Sequence, residues 1–161
     1  MSILWKLKGS PHIIELQDLI VDEATHSPSL VFEYLQSPGG SMKDLYPTFN
    51  PYDVKWYIYQ ILLALEDSHS KGIMHWDIKP LNVIVNPHTW LAKVIDWGLA
   101  EYYLPGTDYH VWVASRYYKG PELMTNNTKY HYSLDIWGVG CMLAEMTFKR
   151  EPFFKGKDNH D

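Results

Sequence analysis

The run His75-Trp76-Asp77-Ile78-Lys79-Pro80-Leu81-Asn82 is followed by Asp96-Trp97-Gly98 and then by Gly120-Pro121-Glu122. These residue types, in this order, suit phosphoryl transfer. Asp96 can hold Mg²⁺, which prefers carboxylate and phosphate oxygens and keeps several waters. Asn82 can offer a neutral oxygen to a second metal ion. Asp77 is left to accept a proton from a substrate hydroxyl or to align it. Lys79, two residues further on, can neutralise the moving phosphate. In chemistry of this kind, positioning and charge neutralisation supply most of the catalysis.

The elements around these residues must bring them together. Val83-Ile84-Val85 and Leu91 to Ile95 read as short strands around the turn Asn86-Pro87-His88. A hairpin returns the chain to its start, so Asp77, Asn82 and Asp96 are expected to converge although the last two lie 14 positions apart. Val54, Tyr57, Ile58, Ile61, Leu62 and Leu65 recur at helical spacing between Pro51 and Ser70, with Asn50 or Pro51 to open that helix and Gly72 to close it. Ser29 to Leu35 and Ile13 to Val21 read as strands, and Ser37 to Ser41 as a linker. Trp97 to Asn127 has little periodicity. Ser133 to Phe148 is apolar on nearly every face, so that helix is expected to be buried all round.

With 161 residues, 46% of them apolar and 15% aromatic, the chain has material for one substantial core. A net charge of -5 argues against a general nucleic-acid binder. No stretch approaches the roughly 18 apolar residues of a membrane span, and Met1 to Gly9 lacks the apolar run of a secretory leader. The single cysteine, Cys141, lies in an apolar run and reads as a packed residue in a reducing compartment. Asn126-Asn127-Thr128 matches a glycosylation acceptor by chance on this reading. The expected setting is cytoplasmic, nuclear or both.

Taken together, the motifs resemble the catalytic loop, metal-binding tripeptide and activation-segment end of protein kinases. They are most similar to the casein kinase II catalytic (alpha) family: Trp97 stands in Asp96-Trp97-Gly98, Gly120 opens Gly120-Pro121-Glu122, and Val113 to Leu123 and Glu151-Pro152-Phe153-Phe154 match closely. The resemblance runs from about Ile3 to Asp161. It implies an α+β kinase-like fold, with about 1–36 as an N-lobe remnant and hinge and 37–161 as the helical C-lobe. It also implies transfer of the γ-phosphate of ATP, with GTP as a further donor, to Ser or Thr in acidic sequences with Mg²⁺. Asp77 would be the base, Lys79 the phosphate contact, and Asn82 and Asp96 the metal ligands. Phe32 would back the adenine pocket, Ile84 and Ile95 would floor it, and the backbone of Glu33 and Leu35 would bond the base. Arg116 and Lys119 would read acidic residues of protein substrates, and Asp135 would brace the catalytic loop. A regulatory beta subunit is a further implied partner, although it docks mainly on the N-lobe.

The resemblance also marks departures. A Gly-rich loop, a strand lysine and a helix glutamate are expected in this family and do not occur among these residues, nor do the helices that would cover 133–148; the reading therefore expects a domain shortened at both ends. Trp76 and Trp112 stand where the family has Arg, and Trp90 reads as a third such replacement. Two alternatives to an active kinase follow: a non-catalytic binding module, and a truncated gene copy without function. Simpler readings stand beside the sharp ones. By residue type alone Phe32 and Ile84 are core, Arg116 and Lys119 a solvated face, and His75 a loop-orienting residue rather than one of a metal pair with His69.

Overall fold

The computed structural model describes residues 2–37 and 42–156. A short helix α1 (Ser2–Lys6) precedes a two-stranded antiparallel sheet, β1 (Leu16–Val21) with β2 (Pro28–Phe32). Their connection is organised by Asp22, whose Oδ1 accepts from the Thr25 N–H at 2.6 Å and from the Ala24 N–H at 3.1 Å. Both strands are shorter than the sequence suggests, for one reason. Residues 12–14 leave this sheet for another: Ile13 bridges Val94 in parallel, and the Ile14 N–H donates to the Val94 carbonyl at 3.0 Å. Beyond Phe32 the chain then keeps one rung, Glu33 N–H to the Glu15 carbonyl at 3.1 Å. The expected linker, apart from Ser37, lies outside the described residues.

After α2 (Met42–Leu45) comes the longest helix, α3 (Pro51–Ser70). Its start is a capping box. The Asn50 side chain accepts from the Tyr52 and Asp53 N–H groups, and the Asp53 carboxylate accepts from the Asn50 N–H at 2.8 Å. It ends where Gly72 takes φ +75° and its N–H closes on the His69 carbonyl at 2.9 Å. Val54, Tyr57, Ile58, Ile61 and Leu65 are buried as their spacing requires, whereas Leu62 faces out.

β3 (Ile73–Met74) follows, then the hairpin β4 (Val83–Asn86) and β5 (Leu91–Val94), whose turn is held by Asn86 Oδ1 accepting from the His88 and Thr89 N–H groups. Gln60 of α3 ties the hairpin down, accepting from the Ala92 N–H at 2.9 Å and donating to the Trp90 carbonyl at 2.9 Å. The aperiodic stretch that follows holds β6 (Glu101–Tyr102), paired antiparallel to β3, and α4 (Pro121–Met124).

The last helix is α5 (Ser133–Phe148). Leu134, Val139, Met142 and Met146 are buried, but Ile136, Leu143 and Phe148 are exposed, so burial all round is not what the structure has. The main core gathers α3, α5 and the β4–β5 hairpin. A second, smaller core joins Met74, Trp76, Tyr109, Val113, Leu123, Tyr130 and Leu134. Among the described residues, no helix is long and apolar enough to cross a membrane.

Candidate active site

Strand β3 delivers the chain into the 75–82 loop, and α5 catches it there. The buried Asp135 carboxylate accepts the N–H of His75 on Oδ2 and that of Trp76 on Oδ1, each at 2.8 Å. Two consecutive N–H groups aimed at one carboxylate go with a left-handed turn, and Trp76 has φ +68°. Gly138, one helical turn after Asp135, lets the loop lie against the helix. A Cβ there would sit 2.7 Å from the Ile78 carbonyl oxygen.

His75 is fully buried and bonded on both nitrogens. Nε2 donates to the Ile95 carbonyl at 3.0 Å, and Nδ1 accepts the Asp77 N–H at 3.2 Å. This is the neutral Nε2–H tautomer, and burial holds its pKa below the ordinary value. His75 therefore orients the loop, as its residue type suggested.

The Asp77 carboxylate gathers donors from three directions. Oδ1 accepts from the Ser115 N–H at 3.0 Å and the Ser115 hydroxyl at 2.8 Å. Oδ2 accepts from Lys79 Nζ at 2.5 Å and Asn82 Nδ2 at 3.1 Å. Lys79 also donates to Ser115 Oγ at 2.8 Å. Burial alone would push the Asp77 pKa up. The hydrogen bonds from Lys79 and Ser115, together with the Lys79 charge, outweigh it, and the carboxyl lies below its ordinary 3.8. A carboxylate so held stays ionised and is a weak base; its geometry suits it to align a hydroxyl. Ser115 lies within the Val113 to Leu123 stretch, 38 positions after Asp77, and no local pattern in the sequence marks it as a partner of that carboxylate. Its preceding residue, Ala114, has φ +61°, which turns both the N–H and the hydroxyl of Ser115 onto Asp77.

Asn82 points its amide nitrogen at the Asp77 carbonyl, 2.8 Å away, which turns its amide oxygen to the other side. The hairpin returns the backbone to its start: the Ile95 N–H donates to the Asn82 carbonyl at 2.9 Å, so Asp96 is one residue from a direct rung to Asn82. Asp96 itself is left-handed, at φ +57°, and exposed. Among the described residues its carboxylate accepts the Gly98 N–H at 3.4 Å and makes no hydrogen bond to Asp77 or Asn82; it lines a neighbouring cavity of about 540 Å³ with Ile14, Leu30, Phe32, Ile84 and Ile95. Thus Asp77, Lys79 and Asn82 share one hydrogen-bonded group, and Asp96 stands at its border with an apolar slot. An apolar slot edged by a carboxylate has the chemistry for a flat base with a hard cation at its rim. Among the described residues no three His, Cys, Asp or Glu side chains are clustered to hold a metal.

A family model described as the protein kinase domain matches residues 1–161. The chain belongs to the protein kinase family. Casein kinase II subunit alpha' of Saccharomyces cerevisiae is 50% identical over 161 residues, which is 100% of this chain and 47% of that relative. The chain therefore spans about half the length of the curated relative it matches.

Kinase vocabulary fits the remaining candidates unevenly. Phe32, Ile84 and Ile95 line one cavity. Glu33 and Leu35 line a smaller one of about 280 Å³, reached across Ile84. Glu33 gives its N–H to Glu15, and its carboxylate takes the Glu15 N–H at 2.8 Å and Lys93 Nζ at 2.5 Å. A backbone bond from Glu33 to a base would therefore use its carbonyl. Arg116 and Lys119 are parted. Arg116 is exposed, but Lys119 turns inward and donates to the Val113 carbonyl at 2.7 Å, with burial lowering its pKa. The resemblance gives Lys119 to acidic substrates, and in this structure its ammonium is turned to the backbone of its own segment. Trp112 is 82% exposed and offers no charge where the family resemblance expects one.

Proposed function

We propose that this chain carries Ser/Thr protein kinase activity of the casein kinase II alpha type, transferring the γ-phosphate of ATP, or GTP, to Ser or Thr hydroxyls in acidic sequences. The observation that carries the reading is the Asp77 carboxylate, gripped by Lys79, Ser115 and Asn82 beside the cavity that Asp96 borders. The division at about residue 36 into an N-lobe remnant with hinge and a C-lobe, and a cytoplasmic or nuclear setting, belong to the same proposal.

In this mechanism Asp77 orients the substrate hydroxyl and takes up its proton late. Lys79 lies 2.5 Å from Asp77 and can follow negative charge as it moves between the reacting oxygens. Ser115 keeps both side chains in register. Magnesium held by Asp96 and the Asn82 amide oxygen would neutralise charge on the phosphate oxygens. Phe32, Ile84 and Ile95 would pack against the base, with the Glu33 and Leu35 backbone at its edge.

A second reading has its own observation. Among the described residues, the lining of the 540 Å³ cavity contains one carboxylate and no lysine or arginine. A triphosphate would find no cation of the described residues there, which favours a binding module without transfer.

The deciding experiment is a Mg²⁺-dependent phosphotransfer assay of the full chain with an acidic serine peptide. Transfer that falls about 10²–10⁴-fold in Asp77→Asn supports the proposal. Transfer indifferent to that change, or none at all, overturns it.

A further inference from the structure

Beside the Asp77, Lys79 and Ser115 group the surface opens into a cavity of about 530 Å³. Lys79, Ser115 and Tyr117 border it together with Lys43, Glu151 and Pro152. A second cavity of about 360 Å³ shares Lys43 and Glu151 as walls and continues to Tyr46, Lys149 and Arg150. The shared wall is an ion pair, Lys43 Nζ to Glu151 Oε1 at 2.8 Å, with the two side chains 49% and 27% exposed.

Most other charges of this region are engaged or turned away, whereas Arg150, a wall of the smaller cavity, is exposed. Lys149 donates to the Tyr46 and Phe49 carbonyls at 2.8 and 3.0 Å. Glu145 is buried and accepts the Tyr118 hydroxyl at 3.0 Å. Asp44 follows Lys43 on α2 and adds negative charge beside it. Lys119 is turned to the carbonyls of its own segment. Lys43 and Lys79 are the described cations that border the 530 Å³ cavity, and the present partner of Lys43 is a carboxylate of the same chain.

We propose that Lys43 reads an acidic side chain of a bound peptide, and that Glu151 occupies that position in the free protein. The inference rests on the kinase reading, in which the peptide presents its hydroxyl at Asp77. An exposed ion pair is cheap to break, and a peptide carboxylate replaces Glu151 like for like on the same ammonium. Glu151 then competes with the peptide, so removing its charge strengthens binding.

The test uses the full chain and a fluorescein-labelled peptide with one serine flanked by glutamates, alongside versions in which each glutamate in turn is glutamine. In the parent protein one replacement weakens binding about two- to five-fold, the size of a single half-exposed ion pair. Lys43→Gln abolishes that position's effect and leaves the other positions unchanged. Lys43→Arg keeps it, and Glu151→Gln tightens binding by a similar factor. The inference is overturned if Lys43→Gln preserves the full pattern, if Glu151→Gln binds no more tightly, or if the parent ignores every glutamate. Melting curves establish that each variant is folded, and the Glu151→Gln arm decides if Lys43→Gln is not. Phosphotransfer is read in parallel: transfer with a preference independent of Lys43 sinks this inference alone, whereas Lys43-dependent binding without transfer leaves the site standing and sinks the kinase reading.

Discussion

His75 makes both of its hydrogen bonds as a neutral imidazole in a site closed to water, and that has a pH consequence. Its pKa in the fold lies below the 6.5 of the unfolded chain, so below that pH the unfolded state binds the proton that the folded state refuses. Stability contributed by His75 is present above pH 6.5 and is lost as the pH falls through it, by up to about 1.4 kcal/mol per pH unit. Melting midpoints measured from pH 7.5 to 5.5 should fall, and His75→Gln should start lower and slope less. Asp77 has the opposite placement on the scale. Its carboxyl is depressed below 3.8, so its ion pair persists through that range and fails only in stronger acid. The identities of Asp77, Lys79 and Asn82 were legible because their spacing is specific. The direction of Lys79 and Lys119 was not: two lysines with the same composition point to a carboxylate and to backbone carbonyls respectively, and only the packed segment decides which.

Helix α3 was readable to the residue, since a capping box, a proline at the first turn and a closing glycine all act locally. Asn50→Ala should destabilise the protein by about 0.5–2 kcal/mol in chemical denaturation, because it strips two N–H groups of their acceptor. Helix α5 was equally clear in extent but not in its faces. Its outward Ile136, Leu143 and Phe148 look no different in sequence from its buried Leu134 and Met142. The β2 strand ends early because residues 12–14 choose β5 as partner, a competition between distant segments that no local pattern records. Gly138 was missed for the same reason, as its function lies in what approaches it. Gly138→Ala should cost about 1–3 kcal/mol and displace Ile78, and with it the neighbouring Asp77 and Lys79. The check is a lower melting midpoint accompanied by a larger loss of phosphotransfer than Asn50→Ala produces.

At the scale of the molecule, the described residues form two cores joined by the 75–82 loop, with the apolar slot at their margin. If that slot takes nucleotide, Mg²⁺-ATP at about 100 times its Kd should stabilise the fold by about 2.7 kcal/mol, read as an upward shift of the melting midpoint. Asp96→Asn should shrink the shift more with magnesium present than without it. The smaller core is aromatic: Trp76 meets Tyr109 edge-on at 5.3 Å and Tyr130 at 5.7 Å, which couples the 75–82 loop to the long aperiodic segment without any charge. Three residues that are not glycine, Trp76, Asp96 and Ala114, hold left-handed backbone within or directly beside the proposed machinery, at about 1–2 kcal/mol each. A laboratory selection for heat resistance alone would therefore be drawn to glycine at 114, where no side-chain contact is at stake beyond a methyl group. Were the proposed phosphotransfer present, the variant would be tougher and slower, because the turn that aims Ser115 would have been set loose.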